Sequence, residues 1–338
     1  MANGSLWRAL PQDFEAFSGS PAENPFQLES EERPALWAGF FIHRRRKNRK
    51  MLVQVILNAI VQTAIYMIMA LGLTLIFGVM KIPNLTHGAM YAMGAFIHYS
   101  LIEWFGIPFI PALFIAALLT FGGGAFLERV FFRGSGAGGS PVVAIIAGIG
   151  LTYVLINVIE NVWGAWPLRI QTPFRHILRI WGGAISLHNI VTTSVAISIA
   201  ALLYAFLKWT KFGCAIRAVS QDREEASLIG VNVNTVGLVT FATGTMLAAI
   251  GGMFAAPITA ARPTMGATAE IMGFAVIILG GMGSLGGAII GAFLLGFVDV
   301  FVTSYISGGW GGAVAFIFMI VVILIRPSGL FGKKGRQI

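Results

Sequence analysis

From Met51 to Met80 the chain carries no charged residue. At 1.5 Å rise per residue such a stretch makes a helix about 45 Å long, well beyond the ~20 residues that cross a bilayer. Further uncharged or nearly uncharged runs occupy 82–102, 104–127, 141–159, 182–207, 231–261, 271–298 and 300–325. Charged residues make up 11% of the 338-residue chain and hydrophobic ones 57%, whereas roughly 25% of a soluble domain is charged. Lipid offers no partners to free backbone groups, and alternating strands of about ten residues do not occur in the sequence, so the runs are read as helices. The expected fold is all-α: a polytopic transmembrane bundle of about eight spans.

The same composition narrows the chemistry. A single cysteine, Cys214, cannot form an internal disulfide or a thiolate metal cluster. The net charge of +9 is spread over short loops and span ends, which is how membrane proteins hold basic residues and not how a nucleic-acid surface is built. The few His, Asp and Glu residues show no metal or triad spacing, so neither metal nor catalysis is expected in this chain. Residues 1–50 read as a polar cytoplasmic extension, mostly disordered over 1–43 and ending in the basic run His43–Lys50. Residues 51–332 form the transmembrane domain, and 333–338 a basic tail.

Lys and Arg in short loops set the sidedness of helical membrane proteins. By that rule the start of the first span, the stretch Leu127–Arg133, the stretch with Lys208, Lys211, Arg217 and Arg223, and the C-terminus are all expected in the cytoplasm, and the loop with Arg169, Arg175 and Arg179 outside. Three apolar segments separate the first two cytoplasmic points, yet a return to the same side takes an even number of crossings. The contradiction repeats between 208–230 and the C-terminus. Either each half contains a broken or re-entrant segment, or the charge rule fails in one loop per half. Interrupted segments in two related halves point to a transport site. The expected interruptions are Met80–Gly88 and Leu279–Gly287, the latter with Gly280, Gly281, Gly283, Gly286 and Gly287.

Pro83 removes a backbone donor and restricts Ile82, so helix stops or bends there. Asn84, Thr86 and His87 are placed to satisfy the freed groups, and Gly88 lets another helix approach. Polar groups at membrane depth mark functional paths, so Asn84, Thr86, His87 and Gly88 are substrate-path candidates. For His87 the competing reading is a histidine that only bonds the broken backbone. Lys81 is read as snorkelling to an interface. Farther on, Asp222 followed three residues later by Glu225 resembles a helix-starting box, Ala226 and Ile229 form a short apolar edge, and Gly230 is placed to end the helix. A short amphipathic helix of this kind suits docking into a soluble partner.

Four stretches, "GLTLIFGVMKIPNLTHGAMYAMGAF", "RAVSQDREEASLIGVN", "VIILGGMGSLGGAIIGAFLLG" and "RPSGLFG", follow one another in the order found in one family. The chain resembles the LivH-type permease of branched-chain amino acid ABC transporters over roughly 51–332. The resemblance implies an importer subunit for branched-chain or other neutral amino acids in a bacterial inner membrane, with both termini cytoplasmic. It also implies a LivM-like second permease, two cytoplasmic ABC ATPase subunits that bind ATP and Mg, and a periplasmic substrate-binding protein. It assigns Asn84, His87 and Gly88 to the first broken segment, and Arg217, Asp222, Glu225, Ala226 and Gly230 to an ATPase-coupling loop. No G-x-x-x-x-G-K-[ST] run occurs, in keeping with nucleotide held on separate chains. Thr86 stands where the family has alanine, which leaves a related cargo such as urea or a short amide as an alternative. An ATP-independent channel or secondary carrier is the alternative of another class.

Overall fold

The computed structural model describes residues 33–133, 141–306, 308, 310–326 and 329–331. Its helices are α1 (Arg33–Met80), α2 (His87–Glu103), α3 (Phe109–Leu127), α4 (Pro141–Trp163), α5 (Leu187–Trp209), α6 (Lys211–Gln221), α7 (Arg223–Leu228), α8 (Val233–Thr259), α9 (Met265–Gly280), α10 (Leu285–Tyr305) and α11 (Gly311–Ile325). A π-helical turn, Glu128–Phe132, extends α3. Six helices, at Lys50–Met80, Phe109–Phe132, Val142–Trp163, Leu187–Trp209, Val233–Thr259 and Leu285–Tyr305, are long and apolar enough to cross a membrane. With the shorter apolar α2, α9 and α11 they make the polytopic helical bundle that the apolar runs demand.

Two compact units divide the chain. In the smaller, residues up to Gln54 with Arg179–Ala184, the Ala184 N–H donates to Gln54 Oε1 at 2.8 Å. Helix α1 already begins at Arg33, which corrects the expectation of disorder up to residue 43: no proline follows Pro34 until Pro83, and Pro34 sits where a helix tolerates it best, at its first turn. The rest of the proposed extension, and the tail 333–338, lie outside the described residues. A short hairpin of β1 (Ile177–Ile180) and β2 (Gly183–Ser186) was not anticipated. It turns through Trp181 and Gly182, both at positive φ, as a two-residue hairpin turn requires.

In the larger unit, contacts along the helices fix their directions. Leu57 and Val61 of α1 share an apolar cluster with Ile185 of β2, with Ile190 at the start of α5, and with Ala255 and Met265. Farther along α1, Thr74 and Gly78 share a cavity wall with Tyr204 and Lys208, at the end of α5. Helices α1 and α5 are therefore parallel. Within the larger unit, Leu57 of α1 therefore lies toward the opposite end of the bundle from Lys208.

The two halves differ in how their apolar runs are cut. In the second half the apolar run 271–298 is cut at Gly281–Ser284 into α9 and α10, which turns three segments into four. An even number of passes then returns the chain to the Lys208 end, where the N–H groups of Leu330 and Phe331 donate to the carbonyls of Leu279 and Gly280 at 2.9 and 3.0 Å. In the first half α1, α2 and α3 remain three uncut segments, and Phe132 packs on Phe241 beyond the third, the rings tilted by 35°.

Small residues let the helices close. A Cβ on Gly72 would come within 2.6 Å of the Gly244 carbonyl, and one on Gly88 within 2.5 Å of the Gly266 carbonyl. Cβ atoms on Gly252 and Gly266 would collide with the carbonyls of Tyr91 and Gly88. Van der Waals contact between backbones replaces the hydrophobic drive that lipid cannot supply. Overpacking at such a contact costs about 1–3 kcal/mol. Gly266→Leu is therefore expected to lower the melting temperature of the purified protein by several degrees. Gly150→Ala, at a position with nothing within 4 Å of a built Cβ, is expected to leave it unchanged or raised; fluorescence melting curves compare the two.

Candidate transport and coupling sites

Met80 ends α1, and Lys81 follows with φ 54. Its side chain is exposed. The chain then turns back into the bundle, so that His87, the first residue of α2, lies against the middle of α1: its Nε2 donates to the Met69 carbonyl at 3.3 Å. Between them, Asn84 Oδ1 accepts the Thr86 N–H at 3.1 Å. Asn84, Thr86, His87 and Gly88 are all buried.

Thr86 does not cap α2 with its side chain. A residue that the sequence reading passed over does so instead: the Glu270 carboxylate, reaching from α9, accepts the N–H of Gly88. A carboxylate at a helix start neutralises the unpaired donors and the positive end of the dipole. Glu270 is the single charge between Arg262 and Asp299, and that isolation was the available signal. After these bonds four buried polar atoms remain without partners, namely Asn84 Nδ2, Thr86 Oγ1, His87 Nδ1 and Glu270 Oε1.

The interruption that meets this cluster is not the expected one. Helix α8 ends at Thr259, Ala260 has φ 67, Pro263 follows, and Gly266 in the first turn of α9 packs on Gly88. The sequence Ala260–Gly266 thus resembles Lys81–Gly88 in its positive φ, its proline and its glycine. The Gly281–Ser284 break is real: α9 ends at Gly280, and Gly281 and Gly283 have φ 99 and 81. It sits against Gly78, with Gly283 Cα 3.8 Å from a Cβ built there, and so lies at the Lys208 end. Gly283 and Gly286 line a cavity of about 790 Å³, together with Arg217. Gly280 and Gly287 instead pack on one another's carbonyls.

The coupling candidates form a compact turn at the Lys208 end. Asp222 closes α6 through its own N–H, bonded to the Ala218 carbonyl at 3.1 Å. Its Oδ1 opens α7 by accepting the N–H groups of Glu224 and Glu225 at 2.8 and 3.0 Å. Because the Asp222 N–H is already used, Glu225 has no return bond to make and the box is one-armed. Gly230, at φ 85, ends α7 with the N–H of Val231 donating to the Ala226 carbonyl at 3.1 Å, the 6→1 bond of a Schellman turn. Ala226 is buried, whereas Leu228 and Ile229 are 87% and 77% exposed. This corrects the expected edge of Ala226 with Ile229, since α7 is too short to keep both on one face. Behind the turn, Glu128 pairs with Arg133 at 3.4 Å, and not with its neighbour Arg129. Burial lowers the Arg223 guanidinium from its ordinary value, and the Glu128 carboxylate opposes that shift.

Residues 55–323 match the family described as the permease component of the branched-chain amino acid transport system. The chain belongs to this family. BraD of Pseudomonas aeruginosa, a high-affinity branched-chain amino acid transport system permease protein, is 29% identical over 295 residues, covering 83% of this chain and 96% of that one. LivH of Salmonella typhimurium, with the same description, is 27% identical over 299 residues with the same coverage. The ribose import permease protein RbsC of Escherichia coli is 28% identical over 254 residues, covering 72% of this chain and 75% of that one. The chain is thus a multi-pass membrane permease component. No cluster of His, Cys, Asp or Glu among the described residues could hold a metal ion.

Replacing Asp222 with alanine removes both acceptor bonds of the α7 cap, at a cost of about 1 kcal/mol. Faster amide exchange confined to Glu224, Glu225 and Ala226 is expected, measured by hydrogen–deuterium exchange on the purified permease.

Proposed function

We propose that this chain forms one half of the translocation path of an ATP-driven importer for branched-chain or other neutral amino acids, paired with a second, LivM-like permease. Two ATPase subunits bind ATP and Mg on the cytoplasmic side, and a periplasmic protein delivers the substrate. The observation that carries this reading is the Asp222-capped, Gly230-terminated α7, which holds Leu228 and Ile229 out of the bundle in a chain of this permease family. Arg217, Asp222, Glu225, Ala226 and Gly230 shape that surface, and an apolar tip ringed by Glu224 and Glu225 suits a groove on a soluble partner.

The Lys208 end and the C-terminus are then cytoplasmic, in the inner membrane, and the first span begins at the outer end. Nothing in this chain is catalytic. Closure of the ATPases moves α6 and α7 together, because Asp222 belongs to both, and the movement shifts the bundle between outward and inward access. Nucleotide biases that equilibrium only through different affinity for the two states. The substrate path runs beside Asn84, Thr86, His87 and Gly88, where the start of α2 and the start of α9 meet and four polar atoms await partners. Helix starts favour the carboxylate of an amino acid, and Glu270 its ammonium.

The test is ATP hydrolysis by the complex co-purified with its neighbouring subunits in lipid nanodiscs, with the binding protein loaded in turn with leucine, valine, alanine or urea. Stimulation by leucine or valine is expected. Stimulation by urea alone would keep the architecture and change the cargo, and a permease that co-purifies with no ATPase would remove the importer reading. Gly230→Pro cannot adopt φ 85 and should insert normally while losing most substrate-stimulated hydrolysis. His87→Ala is expected to lower uptake about tenfold or more in an assembled complex, since it removes both the Nε2 bond to Met69 and the unpartnered Nδ1; wild-type uptake would return His87 to a purely structural role.

A further inference from the structure

We propose that the cavity of about 790 Å³ between α1, α5, α6 and α10 is a binding site for one anionic phospholipid. Its walls are aliphatic, among them Met67, Leu71, Ile197, Ala200 and Ile289. Its polar end is formed by Lys208, Arg217 and Ser220, where α5 passes into α6. The volume falls within the range of specific ligand sites, and the arrangement of an apolar slot with cations at one end matches an amphiphile.

Three observations select a lipid anion. Helix α5 carries large apolar residues outward, with Ile197 and Leu202 exposed, so the slot lies between a peripheral helix and the core, where acyl chains have access. Lys208 stands at the membrane boundary, its Nζ 3.4 Å from the Tyr204 hydroxyl and 6.0 Å from the Trp209 ring centroid; Trp, Tyr and Lys gather at headgroup level. Neither Lys208 nor Arg217 has a carboxylate partner among the described residues, where the ion pair formed is that of Arg133 with Glu128. Two unpaired cations over an apolar slot complement a phosphodiester bearing acyl chains, and basic pockets between transmembrane helices are known headgroup sites. A free amino acid fits less well, because no carboxylate faces the slot to take its ammonium.

The site joins Gly283 of the α9–α10 break and Gly286 of α10 on one wall to α6, which leads into α7, on another. A lipid held there fixes the distance between them. The assignment does not depend on the cargo or on ATPase docking, because its readout is lipid retention by the permease itself.

Native mass spectrometry of the full chain, released from nanodiscs of phosphatidylglycerol or of phosphatidylethanolamine, tests it. One phosphatidylglycerol should be retained, and phosphatidylethanolamine should be retained much less. Each basic residue near a lipid surface contributes about fivefold, so Lys208→Gln with Arg217→Gln should cut retention about 30-fold. Ala200→Trp, which fills the slot and keeps both charges, should reduce it similarly. Lys208→Gln alone, on an exposed side chain, keeps the test open if the double variant misfolds, and should cut retention about fivefold. Equal retention of both lipids, retention unaffected by these variants, or displacement of phosphatidylglycerol by leucine or by inorganic phosphate would each overturn the assignment.

Discussion

A helix broken inside a membrane bundle must have its free backbone groups closed by protein, because the surrounding lipid offers none. Everything distinctive about this permease follows from how that is done. At the start of α2 the exposed donors are met by a carboxylate from the other half of the chain, Glu270. At the end of α9 the exposed carbonyls are met by Leu330 and Phe331. Neither solution is local in sequence. The glycine contacts are the other side of the same constraint, since side chains as distant as His87 and Glu270 reach their partners only if Gly72, Gly88 and Gly266 let the backbones nearly touch.

The bundle and its first break were legible because they rest on signals with a direct physical meaning. Uncharged runs longer than a bilayer read as helices, and Pro83 beside Asn84 and His87 reads as a break. Asp222 and Gly230 were likewise readable as the two ends of a short helix, since capping is a matter of neighbouring residues. What could not be read was anything set by packing across the chain. The partner of the first break was taken as Leu279–Gly287, whose glycines are conspicuous, and the quieter Ala260–Gly266 was missed. Its likeness to Lys81–Gly88 lies in backbone angles more than in side chains. Counting charges likewise cannot reveal that α1 and α5 run parallel.

The structure also separates two polar regions that the sequence placed together. The cluster around His87 is sealed and has unpartnered polar atoms. The cavity bordered by Arg217 and Gly283 is open, mostly apolar and cationic at one end. The proposed path requires the first to open, and α1 spans both: Met69 and Gly72 touch His87, while Thr74 and Gly78 line the cavity. A rigid shift of this one helix therefore alters the two regions together, whatever drives it.

Residues 329–331 complete the end of α9 from nearly fifty residues downstream. Until that last stretch of the chain has left the ribosome, the carbonyls of Leu279 and Gly280 have no such partner, and the Gly281–Ser284 turn lacks the contact that holds Gly329 beside Gly281. Insertion of α10 and α11 thus precedes the final fastening of the helix before them. A permease ending before Gly329 would carry every described span and still lack that fastening.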